Sequence, residues 1–179
     1  MNTNLQIREI NLDNLLHINQ CDNSFLVEKK LRFHARDDEI GYSLAPANRF
    51  LKRYPAEELD YASYINNQEK VVFFAYAEGQ LAGQIILRKN WNGFAYVEDI
   101  AVDSHFRRQG IGKRLMEKAV EWTKLKGLPG IMLETSNVNV PACQFYDHFG
   151  FKLGGFDRFL YHATMPGTEE VAMYWYLFL

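Results

Sequence analysis

The chain has 179 residues, of which 47% are hydrophobic and 15% aromatic, so it can bury a sizeable core and is not a disordered polypeptide. A net charge of −2 shows no basic excess for binding nucleic acid, and no apolar run approaches the ~20 residues of a membrane span. The two cysteines, Cys21 and Cys143, predict neither a disulfide framework nor a metal site. We therefore expect one domain over residues 1–179, in a reducing, cytoplasmic compartment.

The N-terminal third of the chain carries few periodic signals. Leu5–Ile10 alternates apolar and polar side chains, which predicts an edge strand. From 24 to 55 neither the helical nor the strand period is sustained. Short strands are predicted there at 31–33 and 40–44, and a helical turn at Asn48–Tyr54.

A meander of three antiparallel strands is predicted in the middle of the chain. The strands are Val71–Ala77, Leu81–Arg88 and Phe94–Val102, joined by Glu78-Gly79 and by Asn92-Gly93. Asn-Gly is the strongest short signal for a two-residue type I′ turn. The three strands should therefore lie side by side in one sheet.

An amphipathic helix is predicted after the third strand. Ile111, Leu115, Ala119 and Trp122 recur at helical spacing, and charged residues occupy the opposite face. Gly127 suits the C-terminal cap of this helix.

The last part of the chain completes the predicted sheet. Ile131–Thr135 reads as a buried strand, so strand, helix and strand predict a right-handed parallel crossover. Asn139 is a good N-cap for a second helix. The apolar segments Leu153–Tyr161 and Val171–Phe178 are predicted to close the sheet as an antiparallel pair. The fold class is therefore α/β (α+β): a mixed, mostly antiparallel, twisted sheet flanked by helices, with a parallel crossover in its centre.

The loop between the third strand and the first helix has the features of a phosphate site. Backbone N–H groups of a first helical turn lack intrahelical partners, and the helix dipole is positive there. Gly110 and Gly112 allow close approach to the backbone, while Arg107, Arg108 and Lys113 add positive charge. The alternative is a basic loop with a glycine-tolerant helix start. Neither a Walker A ending nor the G-x-G-x-x-G spacing is present.

Three motifs in this part of the chain resemble the GCN5-related N-acetyltransferase (GNAT) family. They are the strand 96–102, Arg107-x-x-Gly110-x-Gly112, and Asn139-x-x-Ala142-x-x-Phe145-Tyr146-x-x-x-Gly150-Phe151. The resemblance covers Val71–Phe151, and the order and spacing of the three motifs fit together. It implies the GNAT fold and an enzyme that transfers an acetyl group from acetyl-CoA to an amine.

The chain also looks like the streptothricin acetyltransferases, which acetylate an amine on the β-lysine arm of that antibiotic. The stretches that carry this likeness are 90–93, 97–102, 132–135, 142–146, 154–157 and 170–176. The resemblance implies antibiotic resistance through direct acetyl transfer in a ternary complex. The alternatives are another amine (peptide, polyamine or aminoglycoside-like) or a module that binds acyl-CoA without turnover. The implied partner is a small cationic amine, without nucleic acid or membrane, and a homodimer is one of the assemblies allowed.

The resemblance places acetyl-CoA on main-chain groups of the third strand and of the glycine loop. The residues implied in its binding are Ile100, Ala101, Val102, Arg107, Arg108, Gln109, Gly110, Ile111, Gly112, Lys113, Asn139 and Ala142. The side chains of the strand residues can still be core, because the implied contacts use main chain. No metal is implied.

Tyr146 is the implied proton donor to the departing CoA thiolate. A phenol with a reference pKa near ~10 is a plausible acid for a thiolate leaving group. The alternative is a half-buried tyrosine whose ring only packs.

Glu98 and Asp99 are the candidates for accepting a proton from the amine. Alternation along a strand predicts that adjacent side chains point to opposite faces. An acid in an apolar strand is unfavourable unless it is paired or solvated, which makes at least one a candidate for the site. Glu98, acting through water, is the first candidate for the base, and Asp99 is the alternative, as base or ammonium anchor. The other interpretation is that one of them faces water or pairs with a lysine or arginine.

Three further side chains are candidates for binding a cationic substrate. Glu134 and Asp157 could add negative charge, and Trp91 an aromatic wall; ordinary surface or core positions are the alternative. Cys143 has no suitable histidine beside it and is interpreted as a small packing residue.

Overall fold

A computed structural model describes residues 4–37, 39–55 and 59–179. Over these residues the chain forms nine strands and two α-helices. Its contacts divide it into two compact units. The first comprises the chain up to Ser24, the segment Arg53–Ile131 and Leu179, and the second comprises Phe25–Lys52 and Met132–Phe178.

The first unit contains an antiparallel run of four strands in the order β1, β4, β5, β6. The bounds are Leu5–Glu9 for β1, Lys70–Ala77 for β4, Gln80–Lys89 for β5 and Ala95–Val102 for β6. The predicted edge strand and meander are therefore confirmed. Glu78 and Gly79 join β4 to β5 with φ angles of 52° and 82°, as a two-residue hairpin with left-handed central residues requires.

One face of this unit is covered by helix α1, Ile111–Leu125. The predicted apolar stripe is buried, and Gly127 follows the helix with a φ of 65°. A Cβ at Gly83 on β5 would stand 2.8 Å from Ala101 O on the neighbouring strand β6 and 3.0 Å from Leu115 Cδ1 on the helix. A glycine is therefore needed at this crossing. The opposite face packs Val72, Phe74, Tyr76 and Ile86 against Ile10 and Tyr64.

The second unit contains a long hairpin, β2 (Phe25–Arg36) and β3 (Glu39–Lys52). It also contains most of β7 (Gly130–Ser136), helix α2 (Val140–Phe149), and the antiparallel pair β8 (Lys152–Asp157) and β9 (Ala172–Phe178). The buried Asn137 links the hairpin to the segment before β9. Its Nδ2 donates to Leu31 O at 3.1 Å, and its Oδ1 accepts from Val171 N at 3.0 Å.

Two local predictions are wrong. Asn48–Lys52 is not helical but lies in β3, because pairing with a distant strand determines the conformation of this segment. The turn between β5 and β6 has three residues rather than two. Gly93 N donates to Asn90 O at 3.0 Å and Asn90 N to Phe94 O at 2.8 Å, while Gly93 has a φ of 88°. This is the hairpin with one extra left-handed residue, in which only the glycine needs positive φ.

The other predicted elements are present at similar bounds. Strand β6, helix α1 and strand β7 follow one another as predicted, and Asn139 caps α2, since its Oδ1 accepts from Ala142 N at 3.3 Å. The last predicted pair is confirmed up to Asp157, beyond which the chain turns. No helix in the described ranges is both long and apolar enough to cross a membrane.

Candidate active site

The glycine loop after β6 has an unusual backbone. Arg108 and Gly110 both have left-handed φ angles, of 61° and 80°. Gly110 is the residue before α1, and no side chain caps the helix there. The first N–H groups of α1 thus emerge next to a residue without a side chain, which suits an anionic ligand.

The guanidinium of Arg107 is held by main-chain carbonyls rather than displayed to solvent. Its Nε donates to Val102 O at 3.1 Å, Nη1 to Ser24 O at 2.6 Å and Nη2 to Asp22 O at 3.1 Å. Asp103 adds a further link, because its Oδ2 accepts from Asp22 N at 2.9 Å. Arg107 therefore fixes segment 22–24 against the glycine loop, whereas Arg108 and Lys113 are exposed.

Strand β6 contains a β-bulge at the two candidate carboxylates. Ile86 pairs with Asp99 and the next residue, Leu87, pairs with Val97, so Glu98 is the extra residue. A bulge breaks alternation and re-aims a side chain. Glu98 and Asp99 consequently line the same cavity, and the prediction that they point to opposite faces is wrong.

Each carboxylate oxygen of Glu98 accepts a hydrogen bond. Arg88 Nε donates to Oε1 at 2.8 Å and Tyr64 OH donates to Oε2 at 2.6 Å, and only 15% of the carboxylate side chain is exposed. Burial of Tyr64 and its bond to Glu98 raise the pKa of the phenol. The predicted alternative, pairing of one acid with an arginine, is therefore what the structure shows for Glu98.

Asp99 is held by a neutral side chain. Gln84 Nε2 donates to Asp99 Oδ2 at 2.7 Å and to Asn19 Oδ1 at 2.9 Å. The motifs do not identify Gln84 as a candidate site residue. A polar residue inside the apolar segment 81–87 is nevertheless a signal that points to it.

A cavity of about 160 Å³ lies at these carboxylates. Its described lining includes two carboxylates, three side-chain amides and two tyrosines beside apolar residues, and the cation Arg53 is exposed at the surface. The polar and aromatic lining residues are Asn19, Asn23, Arg53, Tyr54, Tyr61, Gln84, Glu98 and Asp99. Such a cavity favours a cationic, donor-rich ligand over an anion.

Helix α2 carries the other predicted group. Asn139 caps the helix, Ala142 is half-buried, and Tyr146 is 5% exposed. The Tyr146 ring packs against Phe151 and Trp175, with centroids 5.7 and 6.3 Å apart. The ring is therefore part of the core of the second unit.

The remaining candidates differ in their surroundings. Glu134 accepts a hydrogen bond from Tyr161 OH, while burial raises the pKa of this carboxyl. Asp157 caps a turn by accepting from Phe159 N at 2.7 Å. Trp91 is 93% exposed on the β5–β6 turn and does not line the cavity.

Cys143 is buried in the second unit, and burial raises the pKa of its thiol to about 12. This agrees with a packing residue rather than a nucleophile. Among the described residues no group of three or more His, Cys, Asp or Glu could hold a metal ion.

Comparison with known proteins shows the protein family to which the chain belongs. Residues 37–151, more than half of the chain, match the model of the acetyltransferase (GNAT) family. The chain therefore belongs to the GNAT acetyltransferases and has their mixed α/β fold, as the motifs predicted.

Two similar relatives are both streptothricin acetyltransferases. The chain is 40% identical to streptothricin acetyltransferase A of Bacillus subtilis (strain 168) over 127 residues, which are 71% of this chain and 72% of that protein. It is 33% identical to a streptothricin acetyltransferase of Escherichia coli over 88% of this chain and 87% of that protein.

Two solved structures are similar over nearly the whole chain. A crystal structure of a Bacillus anthracis str. Ames protein in complex with acetyl coenzyme A has a TM-score of 0.92 and 41% identity, covering 98% of this chain and 99% of that one. Nourseothricin acetyltransferase has a TM-score of 0.80 and 29% identity, covering 97% of each chain.

Proposed function

We propose that this enzyme transfers the acetyl group of acetyl-CoA to an amine of streptothricin, in a ternary complex and without an acetyl-enzyme intermediate. The relatives named above support the substrate, and the similar structure bound to acetyl coenzyme A supports the co-substrate. The observation that carries the proposal is the cavity beside β6. The carboxylates of Glu98 and Asp99, at the bulge, line this cavity and would attract a cationic amine.

The glycine loop and β6 are proposed to hold acetyl-CoA. N–H groups at 108–113 would bind the pyrophosphate, and main-chain groups of Ile100–Val102 would align the pantetheine arm and polarise the thioester carbonyl. Asn139 and Ala142 are also proposed to contact acetyl-CoA, because they match the family motif. Arg107 would act indirectly, since its guanidinium already binds three carbonyls.

The reaction is a direct acyl transfer. The neutral amine attacks the thioester carbonyl, a C–N bond forms and the C–S bond breaks. Tyr146 is proposed to give its phenolic proton to the departing thiolate, and the amine loses one proton to a base. Most of the acceleration would come from positioning the two reactants.

Of the two acids, the contacts favour Asp99 as the group that meets the amine. Glu98 already accepts from Arg88 and Tyr64, and the guanidinium of Arg88 balances its negative charge, so it attracts a cationic amine less. Proton transfer through water to Glu98 is the less favoured alternative. Trp91, Glu134 and Asp157 stay predictions as substrate contacts.

The test is acetylation of streptothricin by the purified enzyme with acetyl-CoA, followed as release of free CoA thiol between pH 6 and 9. Tyr146→Phe should lower kcat by about 100-fold, within the range that a positioned general acid contributes. Tyr76→Phe, which alters a buried tyrosine of the first unit, is the matched control and should keep wild-type turnover. Unchanged kcat in Tyr146→Phe would remove the proton-donor role.

Two outcomes would replace the proposal as a whole. Turnover of a peptide, a polyamine or an aminoglycoside, but not of streptothricin, would change the substrate within the class. Tight binding of acetyl-CoA without transfer to any of these amines would indicate a non-catalytic module. A cytoplasmic location, a homodimer and a single domain also stay predictions.

A further inference from the structure

Gln84 is a buried amide whose orientation is fixed by its surroundings. It is 1% exposed, in an otherwise apolar part of β5. The backbone N–H of Asn19 donates to Gln84 Oε1 at 2.8 Å, and because a backbone N–H can only donate, the oxygen must face it. The amide nitrogen is thereby directed at Asp99 Oδ2 and Asn19 Oδ1, at 2.7 and 2.9 Å. Both N–H groups and the carbonyl of this side chain are in use.

Asn19 is itself held in an uncommon conformation. Its φ is 59°, in the left-handed region that asparagine tolerates better than most residues. Its Nδ2 donates to Tyr61 OH at 3.2 Å. Asp99, Gln84, Asn19 and Tyr61 thus form one hydrogen-bonded chain, and all four line the cavity. Backbone strain of this kind is found preferentially at functional sites.

The amide of Gln84 is uncharged, so its bond orients the carboxylate of Asp99 without adding a positive charge, in contrast to the guanidinium of Arg88 on Glu98. The same cavity contains a further acceptor, Asn23 Oδ1, which is buried and has no hydrogen-bond partner among the described residues. A primary ammonium, with three N–H donors and a positive charge, matches this set.

We infer that Gln84 is a positioning residue: held by Asn19, it orients Asp99 to bind the ammonium group of the acceptor amine, with Asn23 Oδ1 as a second acceptor. The inference rests on the proposed function, since it takes the cavity as the place of the acceptor. It adds a residue that neither touches acetyl-CoA nor transfers a proton.

The test compares steady-state kinetics of four variants with streptothricin and acetyl-CoA varied separately. Asp99→Asn should raise the KM for streptothricin by about tenfold or more, as expected for a lost bond to a charged group. Gln84→Met, of similar length but without polar atoms, should raise it by about three- to tenfold. Asn19→Gly keeps both the left-handed backbone and the N–H to Gln84, and should give a smaller increase. Gln80→Met, an exposed position on the same strand, is the control.

The KM for acetyl-CoA should change by less than about twofold in all four variants, because none of these positions belongs to the glycine loop or to Ile100–Val102. A role in folding alone would lower the melting temperature and the amount of active enzyme, but would leave the KM for streptothricin unchanged. Wild-type KM for streptothricin in Gln84→Met or in Asp99→Asn would therefore overturn the inference.

A failure of the proposed substrate is distinguishable from a failure of the inference. If wild-type enzyme does not acetylate streptothricin, calorimetric binding of spermidine and lysine amide is measured with the same variants. Affinity that falls about tenfold in Asp99→Asn would support the inference for another amine. Equal affinity of wild type and Asp99→Asn, or no binding of either amine, would overturn it.

Discussion

Each unit of the chain contains a glutamate that accepts a hydrogen bond from a tyrosine, and the two differ in their third neighbour. In the first unit Tyr64 donates to Glu98, and Arg88 completes the pair with a positive charge. In the second unit Tyr161 donates to Glu134, and the nearby carboxylate is Glu170, which is itself paired with Lys52. Burial, with this repulsion added, raises the pKa of Glu134. A tyrosine–glutamate hydrogen bond is thus part of an ion pair in the first unit. In the second unit the same kind of bond holds a carboxylate whose charge is disfavoured by burial.

The largest effect on stability should come from removing the arginine of the first pair. Arg88→Met leaves Glu98 with a single donor at low exposure and also removes the bond from Arg88 Nη1 to Asn90. Breaking a buried pair costs ~3–5 kcal/mol, and since 38% of the Arg88 side chain is exposed we expect about 1–2 kcal/mol. Urea unfolding measures this difference.

A matched control is available on helix α1. Arg114 and Glu117 form a pair at 3.0 Å with side chains 66% and 37% exposed. Arg114→Met should cost less than about 0.5 kcal/mol. Equal losses in Arg88→Met and Arg114→Met would show that the ion pair in the first unit is no stronger than a surface pair.

The penalty for removing the hydroxyl of Tyr161 should depend on pH. Tyr64→Phe and Tyr161→Phe each remove one hydroxyl donor from a glutamate, at about 1 kcal/mol near pH 7. The bond from Tyr161 lowers the otherwise raised pKa of Glu134, so its loss raises that pKa further. Unfolding near pH 5 should therefore show a smaller penalty for Tyr161→Phe than at pH 7. An equal penalty at the two pH values would contradict this expectation.

A smaller effect, of opposite sign, is expected for Glu134→Gln. A carboxyl with a raised folded pKa favours the folded state below its unfolded pKa, near ~4.3, and loses that contribution as the pH rises through the folded value. Glu134→Gln keeps an acceptor for Tyr161 without the charge, so it should be as stable as wild type at pH 4 and more stable by up to about 1 kcal/mol at pH 7. Melting temperatures at the two pH values measure this, and lower stability at pH 7 would contradict it.

The smallest effect, almost no reaction, is expected at the two thiols, one in each unit. Burial comes first among the causes that raise the pKa of Cys21 and of Cys143 to about 12, and nearby carboxylates add to it. At pH 8 the thiolate fraction is then ~0.0001, against roughly a quarter for an unperturbed thiol. Iodoacetamide should leave the folded protein unlabelled and should label both cysteines in urea. Rapid labelling of Cys143 alone would reopen a nucleophilic role for it.

Sequence patterns predict a structural feature correctly where that feature depends on residues of one secondary-structure element. The glycine after Arg108-Gln109, the stripe from Ile111 to Trp122 and the cap at Asn139 each depend on neighbouring residues, and all three are found where predicted. The sequence predicts the hairpin from Phe25 to Lys52 only in short pieces, because the register of the hairpin depends on pairing between its two strands.

The candidate site shows the same division. The family, the position of the glycine loop and the placement of both carboxylates on β6 follow from the amino-acid sequence, since each lies in a contiguous motif. The shared face of Glu98 and Asp99 follows only from how β5 and β6 pair, because a bulge is a relation between two strands. The bonds from Arg88 to Glu98 and from Gln84 to Asp99 likewise depend on strand pairing, because each joins side chains of β5 and β6.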